Sequence, residues 1–267
     1  MREPLGLIAG EGELPLLFAR QARRAGYRLC VAALKGAAPA SVAGPGDRVE
    51  WVSVGQLGKM LAFFKREKVR RAVMHGRVRH ASIFSPLGFD WRALALLARV
   101  KDRSGPALLA ALAGELARAG VRLLDGRFLM KDCLVPRGIW TRVKPTAAQA
   151  AACRAGWAQA RALARAGVGQ SLLVKNGAVV AVEAMEGTDR AVARAGALAG
   201  KGIILIKTAG PRQDWRFDIP TVGPTTLKHL ARVRAAGLVV EAGKTFLLQR
   251  EKTLALAARH GLFLQAV

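Results

Sequence analysis

The few carboxylates of this basic chain are concentrated in one stretch, and carboxylates are the side chains that bind hard metal ions or orient water. The chain has 18 acidic residues against 43 lysines and arginines. None lies between Asp132 and Glu183, and five then follow by Asp218. Gly187 and Thr188 interrupt an apolar run beside Glu183, so backbone N–H groups would lie next to carboxylates. This combination suits a site that holds a metal ion and a phosphate together.

The same residues also fit a purely structural interpretation. Thr188 would be the N-cap of a helix and Asp189 would lie in its first turn, where an acidic side chain is favourable. Glu183 and Glu186 would then be solvated residues at a strand end. The local pattern favours neither interpretation over the other.

A longer pattern favours the functional interpretation. The strings VAVEAMEGTDRAVAR, GKGIILIKTAGPRQDWRFDIPTVGPTTL and VVEAGKTFLL resemble the C-terminal domain of the metal-dependent UDP-2,3-diacylglucosamine pyrophosphatases of lipid A biosynthesis. This family is distinct from the calcineurin-like enzymes that catalyse the same step. The opening LGLIAGEGELP is similar to the first motif of the family. The resemblance therefore spans nearly the whole chain, and residues 183–223 are its most specific part.

The resemblance implies hydrolysis of UDP-2,3-diacylglucosamine to UMP and 2,3-diacylglucosamine 1-phosphate, with Mg²⁺ as the metal and a homodimer as the assembly. Asp218 matches the essential aspartate of the family's Asp-x-Pro-Thr-x-Gly segment, so we expect it to be catalytic, either as a metal ligand or by orienting the attacking water. Glu183 and Glu186 are expected to be further metal ligands. The residues expected to contact the substrate are Gly10, Gly12, Leu14, Gly76, Lys101, Gly187, Thr188, Asp189, Lys207, Thr221 and Gly223.

Two positions depart from the family pattern. Arg77 follows Gly76 where the family usually has Asn. Gly105 and Pro106 occupy positions where many members have acidic residues before a helix, and Asp102 lies close enough in sequence to substitute for them. These departures leave open a different nucleotide-sugar or nucleotide hydrolase on the same scaffold.

The net charge of +25 indicates anionic partners. Nucleic acid is the first class that such a charge suggests, and a non-enzymatic nucleic-acid-binding protein remains an alternative. The arginines are dispersed over most of the expected helices, however, and aromatic residues are only 6% of the chain, which leaves little for base stacking. We therefore expect no nucleic acid as partner. The expected partners are the acylated UDP-sugar and the anionic membrane from which a substrate with two acyl chains must be extracted.

Other features of the composition bear on the compartment. The three cysteines are widely spaced and odd in number, which does not indicate a disulfide framework, and the four histidines do not form a zinc pattern. No apolar run approaches the roughly 18 residues that span a bilayer. Arg2, Glu3 and Pro4 lead into a short apolar strand, which is not typical of a signal peptide. We expect a cytoplasmic protein that associates peripherally with the inner membrane.

The hydrophobic periodicity predicts two α/β domains, residues 1–133 and 134–267. An apolar strand, a Gly-rich turn at 10–13, a helix and a second strand begin the first domain as a Rossmann-like βαβ unit, although the third glycine of the dinucleotide fingerprint is missing. The second domain is expected to be a mixed α/β domain that carries the acidic block. Its Asn176-Gly177 pair between apolar runs predicts a β-hairpin that ends at Glu183.

Overall fold

The structure is a computed structural model, and it describes residues 2–78, 88–102, 104–211 and 213–267. The chain divides into two compact units. The first contains Met1–Met130 and Trp215–Phe217, and the second contains Lys131–Asp214 and Asp218–Val267. In the described ranges, no helix is both long and apolar enough to cross a bilayer.

The first unit is built on a five-stranded sheet in the order β3-β2-β1-β4-β5, with every neighbouring pair parallel. The prediction of a Rossmann-like βαβ domain is confirmed. The strands are β1 (Pro4–Ala9), β2 (Arg28–Leu34), β3 (Arg48–Val52), β4 (Arg71–His75) and β5 (Arg122–Leu123). The helices are α1 (Leu14–Arg24), α2 (Leu57–Arg66), α3 (Trp91–Arg99) and α4 (Gly105–Arg118), with a 3-10 turn at Ala40–Ala43.

The core of this unit follows from continuous apolar strands. Almost every residue of β1 and β2 is buried, as expected for parallel strands covered by helices on both faces. Phe18 of α1 and Phe64 of α2 are among the largest fully buried side chains. The segment Trp215–Phe217 returns to this unit, where the carbonyl of Trp215 accepts a hydrogen bond from Gly126 N at 2.7 Å. Because residues 215–217 belong to the first unit, no single position in the sequence separates the two units.

The second unit contains a six-stranded sheet in the order β6-β13-β11-β9-β7-β8 and a separate two-stranded sheet of β10 and β12. The mixed α/β prediction is confirmed, since β9, β11 and β13 are parallel while β6, β7 and β8 pair antiparallel. The strands are β6 (Gly138–Ile139), β7 (Ser171–Lys175), β8 (Ala178–Val182), β9 (Ile204–Lys207), β10 (Thr221–Val222), β11 (Gly237–Val240), β12 (Phe246–Leu247) and β13 (Phe263–Ala266). The helices are α5 (Ala147–Arg165), α6 (Thr188–Ala199), α7 (Pro224–Arg232) and α8 (Arg250–Arg259), with a 3-10 turn at Lys131–Cys133.

Local sequence signals set several boundaries in the second unit. Thr146 and Gln149 form a capping box at the start of α5. Asn176 and Gly177 adopt φ values of 50° and 83°, as the tight turn between β7 and β8 requires. The residue types of the segment 245–249 predict a full strand, but only Phe246–Leu247 pairs, and it pairs with β10 outside the large sheet.

Candidate functional site

The site in the second unit lies along the side of the large sheet where strands β8 and β9 end and β7 begins, which we call the sheet edge. Strand β9 ends at Lys207, which is paired in register with Ser171 at the start of the antiparallel strand β7. Glu183 follows the end of β8, and its backbone N–H donates to the carbonyl of Ser171 at 2.9 Å. The carboxyl ends of parallel strands are where open α/β sheets bind ligands. Strand pairing therefore brings a lysine, a hydroxyl and a carboxylate to this edge.

A chain of hydrogen bonds connects these groups through Thr188. Lys207 Nζ donates to Thr188 Oγ1 at 2.9 Å, and Thr188 Oγ1 donates to Glu183 Oε2 at 3.0 Å. Because the single hydroxyl proton of Thr188 is used toward Glu183, Ser171 Oγ is the donor in the 3.3 Å contact between the two hydroxyls.

Lys207 itself is unusual for a lysine because it is only 9% exposed. In the described part of the chain, it forms no ion pair with a carboxylate. A buried ammonium is costly unless an anion or several acceptors compensate it. A negatively charged ligand next to Lys207 would therefore be favourable, because it would compensate the charge of the ammonium group.

The start of helix α6 adds to this anion preference. The prediction that Thr188 is the N-cap is wrong, because the helix begins at Thr188 and the cap is Gly187, with φ of 83° and no side-chain cap bond. Asp189 lies in the first turn, as the structural interpretation predicted, and its Oδ2 is 3.6 Å from His229 Nε2. First-turn N–H groups without a capping side chain are suited to binding an anion.

Asp218 is exposed, and its carboxylate is held from one side. Oδ2 accepts a hydrogen bond from Gln213 Nε2 at 2.8 Å and another from Gln170 Nε2. Gln213 Oε1 accepts from Gly210 N at 2.9 Å, and this bond fixes which end of the amide faces the carboxylate. Oδ1 has no hydrogen-bond partner among the described residues. The carboxylate thus has one oxygen occupied and one available.

A buried glutamate, Glu241, holds the backbone directly before the segment that contains Gln213 and Asp218. Glu241 follows β11, and its Oε2 accepts from Ala209 N at 2.8 Å while Oε1 accepts from Lys244 Nζ at 2.7 Å. Ala209 precedes Gly210, whose N–H orients the Gln213 amide. The position of the Asp218 carboxylate is therefore connected by hydrogen bonds to the end of a core strand.

The three carboxylates predicted as metal ligands are not gathered together. Ala184 N donates to Glu186 Oε2 at 2.9 Å, and Arg194 Nη2 contacts Oε1 at 2.6 Å. The pKa of Glu186 is lowered, first by its own backbone amide and then by Arg194. In the described ranges, no group of three potential ligand side chains is placed to hold a metal. Glu183 and Glu186 each have protein partners in this structure, and metal binding by Glu183, Glu186 and Asp218 stays a prediction.

In the first unit, Gly10 and Gly76 have a packing function. Glu11 N donates to Arg77 O at 2.8 Å, and Arg77 N donates to Glu11 O at 3.0 Å, so the two loops lie backbone to backbone. A Cβ atom at Gly10 would lie 2.6 Å from Arg77 O. Gly76 has φ of 92°, and a Cβ there would lie 2.5 Å from the carbonyl carbon of Gly10. Both positions therefore require glycine whether or not a ligand contacts them.

The other residues predicted to contact substrate have local surroundings that do not decide their function. Lys101 and Gly12 are exposed, and Leu14 begins α1. Thr221 Oγ1 donates to Ile219 O at 2.8 Å, and Gly223 is the N-cap of α7. Substrate contact by these five residues stays a prediction.

His75 is a buried histidine at the end of β4, directly before Gly76. Its ring centroid is 5.1 Å from that of Phe18, and Nε2 has no hydrogen-bond partner in the described part of the chain. Burial lowers the pKa of His75 to about 4, and a hydrogen bond to the backbone of Gly126 opposes this effect. The imidazole is therefore neutral near pH 7.

Because of His75, we expect the free energy of unfolding to decrease in acid. The unfolded chain binds a proton near pH 6.5 and the folded one only near pH 4, so the free energy of unfolding falls as the pH drops through that window. The expected contribution is about 3 kcal/mol, from about 1.4 kcal/mol per pKa unit. Urea unfolding of His75→Gln between pH 7 and 4 should lose this part of the slope. His260→Gln, at an exposed histidine, should keep it, and an unchanged slope in His75→Gln would exclude His75 as its source.

Several residues of the site were not found from the sequence. Gln170, Gln213 and Ser171 are uncharged, so the concentration of carboxylates in the sequence does not indicate them. Glu241 stands alone near a strand end, and only strand pairing shows that it supports the segment before Asp218. The one available signal was that Gln213 lies inside the string QDWRFDIP, five residues before Asp218.

The fold is that of a two-domain α/β protein, and its second unit places the buried Lys207 and the start of α6, which has no side-chain cap bond, at this sheet edge. Residues 4–133 match the family model described as LpxI N-terminal domain, and residues 136–265 match the LpxI C-terminal domain. A protein of Caulobacter vibrioides, named UDP-2,3-diacylglucosamine pyrophosphatase LpxI, is 34% identical over 276 residues, which cover 98% of this chain and 97% of that protein. The chain belongs to the LpxI family.

Two solved structures of other proteins show a weak likeness to this chain. Glycinamide-RNase-transformylase T from Mycobacterium tuberculosis is 17% identical, with a TM-score of 0.25 over 68% of this chain and 44% of that one. CobK precorrin-6A reductase is 16% identical, with a TM-score of 0.33 over 99% of this chain and 89% of that one. Likenesses this weak carry no argument about function.

Proposed function

We propose that this protein hydrolyses the pyrophosphate bond of UDP-2,3-diacylglucosamine in lipid A biosynthesis and releases UMP and 2,3-diacylglucosamine 1-phosphate. Membership of the LpxI family and the name of the Caulobacter relative support this reaction. The observation in the molecule that carries it is the buried Lys207 beside the uncapped start of α6. That arrangement suits a phosphate group, and the substrate has two.

Phosphate binding would use the groups that now lack a negative partner. Lys207 Nζ uses one of its protons toward Thr188 Oγ1 and has two more to donate. The dipole of α6 would attract an anion to the start of the helix, where the first-turn N–H groups can donate hydrogen bonds to it. Charge that develops on phosphoryl oxygens during hydrolysis would be stabilised by the same donors, which need no rearrangement at that moment.

Asp218 would act on the attacking water or hold the metal. With Oδ2 fixed by Gln170 and Gln213, Oδ1 can accept a hydrogen bond from a water molecule in one defined direction. Orientation of a nucleophile by a fixed acceptor lowers the entropic part of the barrier. The two amide donors also keep the carboxylate from rotating away when the site is empty.

Mg²⁺ fits this site as an ion held by one protein carboxylate and by substrate phosphates. Mg²⁺ is commonly bound by one or two carboxylates together with phosphate oxygens and waters, and not by an all-protein cage. Asp218 Oδ1 is a hard oxygen donor without a protein partner among the described residues, so it is the residue proposed to hold the ion. When bound, Mg²⁺ would neutralise charge on the diphosphate and polarise its oxygens.

The proposed reaction predicts a specific product profile. Purified protein with Mg²⁺ should release UMP from UDP-2,3-diacylglucosamine dispersed in detergent, and excess EDTA should abolish this release. UDP-glucosamine without acyl chains is the matched substrate control and should react far more slowly. Equal rates on both substrates would instead favour a general nucleotide-sugar hydrolase. Release of UMP at full rate in EDTA would contradict the metal dependence.

A further inference from the structure

Helix α3 is apolar on two sides, but only one side packs against the core of its unit. Ala93 is buried in that core. On the opposite side, Trp91 is 70% exposed and Leu94 is 48% exposed, and Ala98 continues the same side one turn later. We call Trp91, Leu94 and Ala98 the α3 outer face. A surface helix ordinarily has polar residues opposite its buried stripe, so this face has the composition of a contact surface.

Cationic side chains border the α3 outer face. The guanidinium carbon of Arg92 lies 5.1 Å from the Trp91 ring centroid. Arg99 ends the helix and Lys101 follows it. Arg92 and Lys101 form no ion pair within the residues that the structure describes. Positive charge at this border is therefore available to an external partner.

The carboxylates near the helix have partners within the protein. Asp90 caps α3 by accepting from Ala93 N at 2.9 Å, and its other oxygen accepts from Gly58 N at 2.6 Å. Glu115 lies 3.6 Å from Arg99 and 2.7 Å from Arg118, so its charge is shared. No acidic residue is present within α3 itself. Asp102, next to Lys101, accepts from Ser104 N at 2.8 Å and from Ser104 Oγ at 3.0 Å. The surface thus combines exposed aromatic and aliphatic groups with bordering cationic side chains.

An anionic lipid bilayer matches this combination better than a protein partner does. Trp and Leu on one side of a helix, with Arg and Lys beside them, are typical of helices that lie in the membrane interface. A second copy of the chain would bring the same cationic border against itself, and like charges across an interface are unfavourable. An anionic headgroup layer instead attracts each of these charges.

We propose that the α3 outer face docks the protein on an anionic bilayer, with Trp91 and Leu94 at the acyl boundary and Arg92, Arg99 and Lys101 against the phosphates. The choice of a bilayer rests on the proposed function, since an acylated substrate resides in one. Lys101 is exposed and would contact lipid phosphates in this docked state, while its contact with substrate stays a prediction.

The test measures membrane binding separately from hydrolysis. Co-flotation of the full chain with vesicles of phosphatidylethanolamine and phosphatidylglycerol, without substrate, should show binding that weakens with added salt. The double variant Trp91→Gln, Leu94→Gln should bind the vesicles with an affinity lower by about tenfold or more. The reason is that glutamine at both positions removes the apolar groups that would be buried at the acyl boundary. Leu198→Gln, at an apolar residue that is 68% exposed on α6, is the matched control and should bind as the wild type does.

The possible outcomes are distinguishable. Equal weakening by the control, or unchanged binding of the double variant, overturns the proposal. If the double variant changes the oligomeric state in light scattering but not vesicle binding, the face is an interface between copies and the proposal is also wrong. Hydrolysis of detergent-dispersed substrate should be unchanged in the double variant. Vesicle binding without any hydrolysis would contradict the proposed function and leave the docking surface standing.

Discussion

Asp218→Asn should fold normally, bind the acylated UDP-sugar, and release UMP on the order of 10²-fold more slowly than the wild type or worse, as for removal of a metal ligand or an orienting group. The structure makes asparagine a sharper test than alanine. Gln170 and Gln213 both donate to Oδ2, so in the variant they would select the amide oxygen at that position and leave the NH₂ group at the open one. An NH₂ group accepts no hydrogen bond from water and binds no metal. The variant therefore keeps the shape of the side chain and removes its negative charge and the acceptor at Oδ1.

A control and a contradicting outcome accompany this prediction. Asp214→Asn removes a charge four residues away in the same segment and should change the rate far less, because the 3.2 Å contact of Asp214 with Asp218 N is made by its backbone carbonyl, which the variant keeps. Steady-state UMP release and a thermal melt should be measured for both variants. Turnover near the wild-type rate in Asp218→Asn, or equal losses in both variants, would exclude Asp218 Oδ1 from the reaction.

The fold was largely predictable because its signals are local. Apolar runs of strand length and the Asn176-Gly177 turn each act within a few residues, and both lie where the sequence places them. The boundaries that failed depend on partners distant in sequence. The segment 245–249 contains good strand residues, but its length as a strand is set by the two-residue strand β10 with which it pairs.

The candidate site was less predictable for a related reason. Asp218 and Lys207 were found by resemblance, and their chemical types are informative by themselves. Their surroundings depend on strand register, which brings Ser171 opposite Lys207 from 36 positions earlier in the chain. The orientation of Asp218 by two amides depends on loop geometry that no periodicity encodes. Glu186 illustrates the converse, since its residue type suggested a ligand but its neighbour Arg194 pairs with it.

Lys207→Met should lower kcat/KM for UMP release by about 10²-fold, the usual scale for losing a preorganised group that stabilises developing charge. Methionine has a similar length and fills the same buried space, so packing around β9 should be retained. Thr188 Oγ1 would keep its hydrogen bond to Glu183 Oε2. Because the variant removes a buried charge that has no carboxylate partner among the described residues, its melting temperature should equal or exceed that of the wild type.

This combination of lost activity and retained stability separates a ligand-binding lysine from a structural one. Lys175→Met is the matched control, since Lys175 lies at the other end of the paired strand β7 and its Nζ donates to the carbonyl of Ala199 at 2.5 Å. It should retain turnover and lose some stability, because it leaves that carbonyl without its donor. Isothermal titration with UMP and with inorganic phosphate would show whether Lys207→Met loses anion affinity. Normal turnover by Lys207→Met would contradict the prediction. So would a melting temperature of Lys207→Met far below that of the wild type together with full activity of Thr188→Val. Either result would mean that the anion is bound elsewhere and that this sheet edge is not the reaction centre.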